Sequence, residues 1–491
     1  MLIHKNSTGH PIPSTSTALS LQEQRATLHQ LRSELINHYR PLIMTGPGPI
    51  RIMARIVAEL EQECRKRRIA EEVIKSEIVN RTIGDVNLRL VTECEGQPGG
   101  PGDYRMLADE LGVALPGEQF NGYTATGETY RWLHDQAMEC ERLLLARGYD
   151  PRIYDIYGVG NPVLREWLAQ DMQQQWRLPA TPEQLYLSLG AMDGIDKVLR
   201  ALALRYRAPG NSDFAILFPE PGFNVPEWQA RASGYRLHPF PTLPDHRFKL
   251  SAEQLDQILQ TAPDIRLIYL TVTNNPTTFA YTPGELRALH AALHRHREQG
   301  HHVYTLADLA YIGTGKPEED RARMATFAEP EVFQHTIFVS SFSKTLSLTG
   351  ERLGWITFGD PALAADLAPC WTNSLASLPG EWQLRFMAYY RLLQSRPWLN
   401  EKLRNFYRMR RRRLIDQLNR LNERQPLFEE VYIDDDATVY NWSKLRAGED
   451  AFSLFEKTGI AGVPGSGFGY TDDYIRFSVG VIPIEIENGE E

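Results

Sequence analysis

Apolar residues first recur along the chain at helical spacing. Leu28, Leu31, Leu35 and Ile36 form one stripe, and Ile52, Ile56, Val57 and Leu60 form a second. The pattern predicts helices from Leu21 to about Ser76, interrupted at the Gly46-Pro-Gly-Pro49 run. Before them, residues 1–18 are rich in Ser, Thr and Pro and read as a mobile end. From Tyr186 onward the pattern changes to short apolar runs separated by helical stretches. Tyr186–Leu189, Phe214–Phe218, Arg266–Thr271, His302–Ala307, Thr336–Ser340 and Leu353–Phe358 read as strands, with helices such as Met192–Tyr206 and Pro283–Glu298 between them. Alternation of this kind predicts an α/β fold whose mostly parallel sheet is covered by helices on both faces. Residues Pro379–Leu421 read as largely helical, and Val431–Val481 as short strands and turns that build a smaller α+β unit. The expected organisation is a helical extension over 1–80, an amino-terminal part of the small unit with a linker over 81–150, a large unit over 151–375 and a small unit over 376–491.

Composition narrows the class. A chain of 491 residues suggests two or three domains, and 42% hydrophobic with 23% charged residues is ordinary for a globular protein. The net charge of −9 argues against a broad nucleic-acid surface. No apolar run is long enough to span a membrane, and the amino end lacks the apolar core of a signal peptide. Cys64, Cys94, Cys140 and Cys370 are scattered without C-x-x-C spacing, which speaks against a zinc site or disulfide framework and for a reducing cytoplasm. His290, His294 and His296 share a predicted helix, but no third ligand accompanies the pair four residues apart, so a solvated helix face and no metal is the expectation. The arginine run Arg410–Arg413 likewise reads as a solvated helix face, and Gly96–Gly102 as a structural loop.

The chemistry gathers around one stretch. The apolar run Thr336–Ser340 leads directly into Ser341-Phe-Ser343-Lys344, followed by Gly350, Arg352 and Gly354. A lysine just past a buried strand is placed to form a Schiff base with an aldehyde, and two hydroxyls and an arginine beside it are the types that hold a phosphate. An aldehyde and a phosphate on one molecule point to pyridoxal 5'-phosphate (PLP). The stretch resembles the S-x-S-K-x(5)-G-x-R-x-G signature of the class I/II aminotransferases, which are fold-type I PLP-dependent enzymes. The resemblance covers roughly residues 150–480, with weaker hints from Gly84-Asp85 onward.

That resemblance implies a set of roles. Gly190-Ala191-Met192 opens a helix after a strand and would offer backbone donors to the PLP phosphate, together with Ser341, Ser343 and Arg352. Phe223 would pack against the cofactor. Asn275, in Asn274-Asn275-Pro276-Thr277, matches the asparagine of the family's N-P-T-G motif, which bonds the phenolic oxygen; Thr278 stands where glycine is usual. Asp308 would hold the pyridine nitrogen protonated, and Tyr311 would share the phenolic oxygen with Asn275. Arg476, with Asn275, would grip the substrate α-carboxylate through the planar guanidinium fork. Either Tyr154 or Tyr157 matches a tyrosine that reaches the phosphate of a neighbouring subunit. Lys344, Asp308 and Tyr311 would be catalytic, the substrates an α-amino acid and a 2-oxo acid, and the assembly a homodimer with shared active sites.

Two other outcomes stand beside transamination. The same scaffold supports β- or γ-elimination, replacement, decarboxylation or oxidation of an amino acid, because the signature binds the cofactor without choosing the bond that breaks. Some transcription regulators join a winged-helix domain to an aminotransferase-like one, but residues 19–80 show no helix-turn-helix followed by a wing.

Overall fold

A computed structural model of the chain describes residues 19–43, 49–84, 122–155, 158–207, 214–433 and 438–479. The expected mobile end at 1–18, the Gly96–Gly102 loop and Tyr157 lie outside them. Three helices come first: α1 (Leu21–Tyr39), α2 (Ile52–Lys66) and α3 (Glu71–Glu77). A capping box starts α1, with Ser20 Oγ accepting from the Glu23 amide and the Glu23 carboxylate accepting from that of Ser20. The two predicted stripes do find a partner surface. Leu28, Leu31, Ile36, Ile56 and Leu60 share one core with Phe452, Phe455 and Ala461, from the other end of the chain. After α3 the chain does not fold back as a wing. It forms β1 (Val79–Asn80), which pairs in parallel with Ile460–Ala461.

The central sheet has seven strands. They are β2 (Leu185–Leu189), β3 (Ala215–Glu220), β4 (Arg236–Pro241), β5 (Ile265–Thr271), β6 (Tyr304–Asp308), β7 (Thr336–Ser341) and β8 (Leu353–Phe358), in the order β2-β8-β7-β6-β5-β3-β4. Only β8 runs against its neighbours; every other pair is parallel. Alternate residues feed two cores, one on each face: Leu187, Leu217, Ile268 and Phe338 on one side, and Tyr186, Ile216, Leu267 and Ile337 on the other. Strands buried on both faces read as continuous apolar runs, which is why six of the seven are visible in the sequence. The seventh, β4, reads Arg-Leu-His-Pro-Phe-Pro and sits at the sheet edge, where proline is tolerated.

A helix of 27 residues (Trp398–Arg424) leads to β9 (Phe428–Val431), β10 (Tyr440–Leu445), β11 (Ile460–Ala461), β12 (Val463–Pro464) and β13 (Tyr474–Ser478). Four of these form an antiparallel sheet in the order β12-β13-β10-β9.

The two solvated helix faces expected from the sequence need correction. Arg410 and Arg411 are fully buried; Arg410 Nε donates to the Val479 carbonyl at 2.7 Å, and Arg411 to that of Thr438. They tie the long helix to the chain on either side of the small sheet. His290 and His296 are buried as well. His290 packs edge-on against Phe327, and His296 Nε2 bonds Asp256 at 2.9 Å. His294 remains half-exposed and paired with Glu331 at 2.5 Å. Among the described residues no cluster of side chains could hold a metal, and no helix is long and apolar enough to cross a membrane.

Candidate active site

The strands β5, β6 and β7 end side by side, and a cavity of about 760 Å³ opens at their carboxyl ends. Ala191, Met192, Phe223, Asn275, Asp308, Tyr311, Ser341, Ser343, Lys344, Arg352 and Arg476 all line it, and Gly190 caps the helix whose first residues do so. Residues spread over nearly 300 positions are therefore brought to one place. Tyr154 is not among them: it is 76% exposed on the surface.

Lys344 stands in a single helical turn (Phe342–Thr345) directly after β7, and its amine donates to the carbonyl of Gly84. Asp308 is the last residue of β6. Its carboxylate accepts from Tyr269 Oη at 2.6 Å and from the Ala310 amide at 2.9 Å. Burial raises its pKa in spite of these two bonds. No side-chain cation among the described residues pairs with it, so this carboxylate lacks the charge partner that burial demands.

Arg476, on β13, is 4% exposed. Its Nη1 donates to Asn275 Oδ1 at 3.1 Å and its Nη2 to the Thr82 carbonyl at 2.8 Å, while Nε has no partner. The guanidinium lies between two rings, 4.1 Å from that of Tyr440 and 4.9 Å from that of Phe468. Burial lowers its pKa, and the phenols of Tyr440 and Tyr311 oppose that. Tyr311 and Tyr440 meet hydroxyl to hydroxyl at 3.2 Å. Burial pushes the Tyr440 phenol up, but the charges of Lys344 and Arg476, with hydrogen bonds from Tyr311 and Lys344, outweigh it and leave its pKa below the ordinary value.

The other end of the cavity is built for an anion. Gly190 has φ +82°, and a Cβ there would lie 2.5 Å from Arg352 Nη2, so the guanidinium rests against the helix cap. A Cβ on Gly354 would come within 2.6 Å of the Gly190 carbonyl carbon. These two close approaches explain the Arg352-x-Gly354 spacing: glycine lets β8 touch the turn that starts the helix. Ser341 Oγ and Ser343 Oγ are 2.7 Å apart beside it. Thr278, the departure from glycine, adopts φ +67° and closes its turn with a 2.9 Å bond from its amide to the Asn274 carbonyl. It does not line the cavity.

Several lining residues escaped the sequence reading. Thr82–Gly84 and Tyr440 sit against the catalytic candidates, and Ile50, Arg51, Ala54 and Arg55 bring the start of α2 into the wall. Tyr269, whose hydroxyl bonds Asp308, escaped that reading too. It stands two residues before the end of β5 and hence on the same face as the strand's last residue.

The donor set fits PLP. Two hydroxyls, a guanidinium and a helix amino end suit the phosphate; a buried carboxylate without a cation suits a protonated ring nitrogen; a strand-end lysine suits the aldehyde. The fold and this combination define a fold-type I PLP-dependent enzyme. A family model, aminotransferase class I and II, matches residues 153–489. The chain belongs to that family, the PLP-dependent enzymes that exchange an amino group between an amino acid and a 2-oxo acid. It is 25% identical over 323 residues to a probable aspartate/prephenate aminotransferase of Aquifex aeolicus, covering 65% of this chain and 77% of that protein. It is 27% identical over 310 residues to the LL-diaminopimelate aminotransferase of Maridesulfovibrio salexigens, covering 62% and 73%. A solved aspartate aminotransferase of Thermus thermophilus with maleate superposes with a TM-score of 0.63 over 90% of this chain and 95% of that one, at 19% identity, a likeness of fold.

Proposed function

We propose that this cavity is the transamination site and that the residues lining it divide the work as follows. Gly190, Ala191, Met192, Ser341, Ser343 and Arg352 hold the cofactor phosphate. Phe223 packs on the ring. Asn275 and Tyr311 bond its phenolic oxygen, and Asp308 keeps its nitrogen protonated. When bound, the cofactor supplies the electron sink that makes the substrate's α-proton acidic. Lys344 Nζ would hold the cofactor until the substrate amine displaces it, and the freed amine would then take that proton from the α-carbon and return it on the other side of the transferred nitrogen. Arg476 and Asn275 bind the α-carboxylate. The observation that carries this reading is the single cavity in which a strand-end lysine, an uncompensated buried carboxylate and a buried arginine meet.

One turnover tests it. Purified protein is mixed with an amino acid and no acceptor, and the released cofactor and product are analysed. Recovery of the cofactor in its amine form with one equivalent of 2-oxo acid is expected. Continued consumption of substrate with the aldehyde form intact would replace transamination by elimination, decarboxylation or oxidation.

The same reading includes a cytoplasmic homodimer with shared active sites and the division into a large unit over 151–375 and a smaller one that takes in 376–491. Support for the dimer comes from Ile153 and Tyr154, which are 66% and 76% exposed side by side. Support for a reducing compartment comes from Cys64 and Cys140, buried and unpaired. Light scattering measures the assembly, and a Tyr154→Ala variant with unchanged cofactor affinity would remove that residue from the shared site.

A further inference from the structure

We propose that a second cavity, behind the turn that carries Lys344, binds an amphipathic carboxylate, one anionic group on an apolar or aromatic body, and that its occupant changes how tightly the cofactor is held on the other side of that turn. The binding site stands whichever reaction the first cavity performs; the coupling rests on the cofactor sitting there.

The second cavity measures about 520 Å³. Its wall joins the helix Pro162–Trp176, the ends of β6 and β7, Trp355 on β8 and the start of the 27-residue helix. Three polar groups on that wall lack partners. Trp355 is 7% exposed, and its Nε1–H meets no acceptor. Asn400 Oδ1 is buried without a donor. Arg404 makes no described hydrogen bond or ion pair. Asn400 and Arg404 stand four residues apart and so share one helix face. Burial lowers the Arg404 pKa against the charges of Glu401, Asp320 and Glu318, and none of those three carboxylates lines the cavity. The one that does, Asp171, already accepts from Gln175 Nε2 at 2.5 Å. A buried donor without an acceptor costs free energy that a ligand carboxylate would recover. Met172, Ile312, Phe342, Leu346 and Leu393 offer apolar surface for the body of such a ligand. Gln174, Gln175 and Arg321, also on the wall, are exposed and open one side to solvent.

Two segments separate this cavity from the first, and each lines both. In the loop that follows β6, Asp308 and Tyr311 line the first cavity, whereas Leu309 and Ile312 line the second. In the turn that follows β7, Ser343 and Lys344 line the first, Phe342 and Thr345 line the second, and Ser341 lines both. The two segments touch each other: a Cβ on Gly313 would lie 3.1 Å from Thr345 Cγ2. A ligand seated against Phe342 and Thr345 therefore bears on the backbone that aims Lys344, Tyr311 and the two serine hydroxyls. A packed partition of this kind transmits strain instead of absorbing it. Filling one cavity then changes the free energy of filling the other, and the effect is reciprocal.

The test uses the cofactor-loaded enzyme and 3-phenylpropionate, which has the ring and the charge but no amine to react with the cofactor. Titration calorimetry at fixed ionic strength should find a site for it that Arg476→Lys leaves intact. Arg404→Gln should weaken that site about tenfold or more, the worth of one charge-assisted contact, and Asn400→Leu should weaken it in the same direction. The uncharged 3-phenylpropanol should bind there about tenfold or more weakly than the acid. Circular dichroism checks that both variants fold. The second readout is the dissociation constant of the cofactor, followed by its absorbance. Saturating 3-phenylpropionate should shift it about fivefold or more in Arg476→Lys protein, and not when Arg404→Gln is added. Absence of a site in the Arg476→Lys protein overturns the proposal. So does a site whose affinity is unchanged in both folded variants, Arg404→Gln and Asn400→Leu. Binding that follows Arg404 but leaves the cofactor constant unmoved overturns the coupling.

Discussion

Arg476 and Asp308 are both charges buried in one cavity, and they respond to substitution in opposite ways. Arg476 is stacked between two rings and bonded through Nη1 and Nη2, with Nε left for a ligand. Arg476→Lys keeps the charge and loses the fork. Substrate KM should therefore rise by about 10- to 100-fold, the worth of a charge-assisted contact, with cofactor binding unchanged. An unchanged KM removes Arg476 from the carboxylate site. Asp308 has the reverse problem. Burial raises its pKa, so in cofactor-free protein the folded state favours the protonated form more than the unfolded chain does. A carboxyl raised in this way is most favourable at pH below its unfolded pKa, and stability is lost as pH rises through the folded value. Cofactor-free Asp308→Asn should then melt at a higher temperature than wild type at pH 7 and at about the same temperature near pH 3. Equal melting temperatures at pH 7 would mean that Asp308 has a cationic partner after all. The position of both residues was legible, because each follows a strand end or closes a motif. Their environment was not: Tyr269 and Tyr440 look like core aromatics until the register of β5 and β10 is known.

Individual elements carry constraints that spacing alone displays only in part. The Gly350, Arg352 and Gly354 pattern was readable, but its glycines differ in kind. A Cβ on Gly354 would reach 2.6 Å from the Gly190 carbonyl carbon and 3.0 Å from the Ala191 amide nitrogen, whereas nothing lies within 4 Å of one on Gly350. Gly354→Ala should push β8 off the helix cap, lower the melting temperature and release cofactor, and Gly350→Ala should leave the melting temperature alone. Thermal scans of the two variants decide it. The helix Pro283–Glu298 was readable to the residue, yet its histidine face was misread as solvated. Periodicity marks a helix but cannot say which of several mixed faces meets the body when His and Arg stand on it. Burial beside Arg297 lowers the His290 pKa to about 4. The folded state thus refuses a proton that the unfolded chain accepts. Stability is fully present above the unfolded value near 6.5 and falls as pH drops toward 4. His290→Phe should flatten that loss, measured as melting temperature between pH 7 and pH 4; an unchanged slope would assign the acid sensitivity to other groups. The arginine run was misread for a related reason. Sequence shows four positive charges, while the carbonyls of Val479 and Thr438 that receive two of them come from segments without any local signal.

At the scale of the whole molecule, the seven-stranded sheet followed from the alternation of apolar runs and helices, but the place of the amino-terminal helices did not. Their stripes demanded a surface without naming it, and the surface is Phe452, Phe455 and Ala461, nearly 400 residues away in sequence. Contacts of that separation leave no mark on either segment, since each stripe would look the same against any apolar partner. The consequence is testable. Helices that were an appendage would melt separately and could be removed without harm. Here Leu60 and Phe455 are fully buried in one shared core, β1 pairs with β11, and the carbonyls of Thr82 and Gly84 accept from Arg476 and Lys344. Leu60→Ala should therefore cost about 2–5 kcal/mol, as a fully buried leucine does, and lower the main melting transition instead of adding an early one. Combined with Phe455→Ala it should show a coupling of roughly 0.5–3 kcal/mol, the range for residues coupled through one core. Deleting residues 1–80 should abolish soluble, cofactor-loaded protein, because it uncovers Phe452 and Phe455 and removes the strand that leads into the active-site carbonyls. A truncated protein that stays soluble, binds cofactor and melts like the full chain would mean that the shared core contributes nothing to folding.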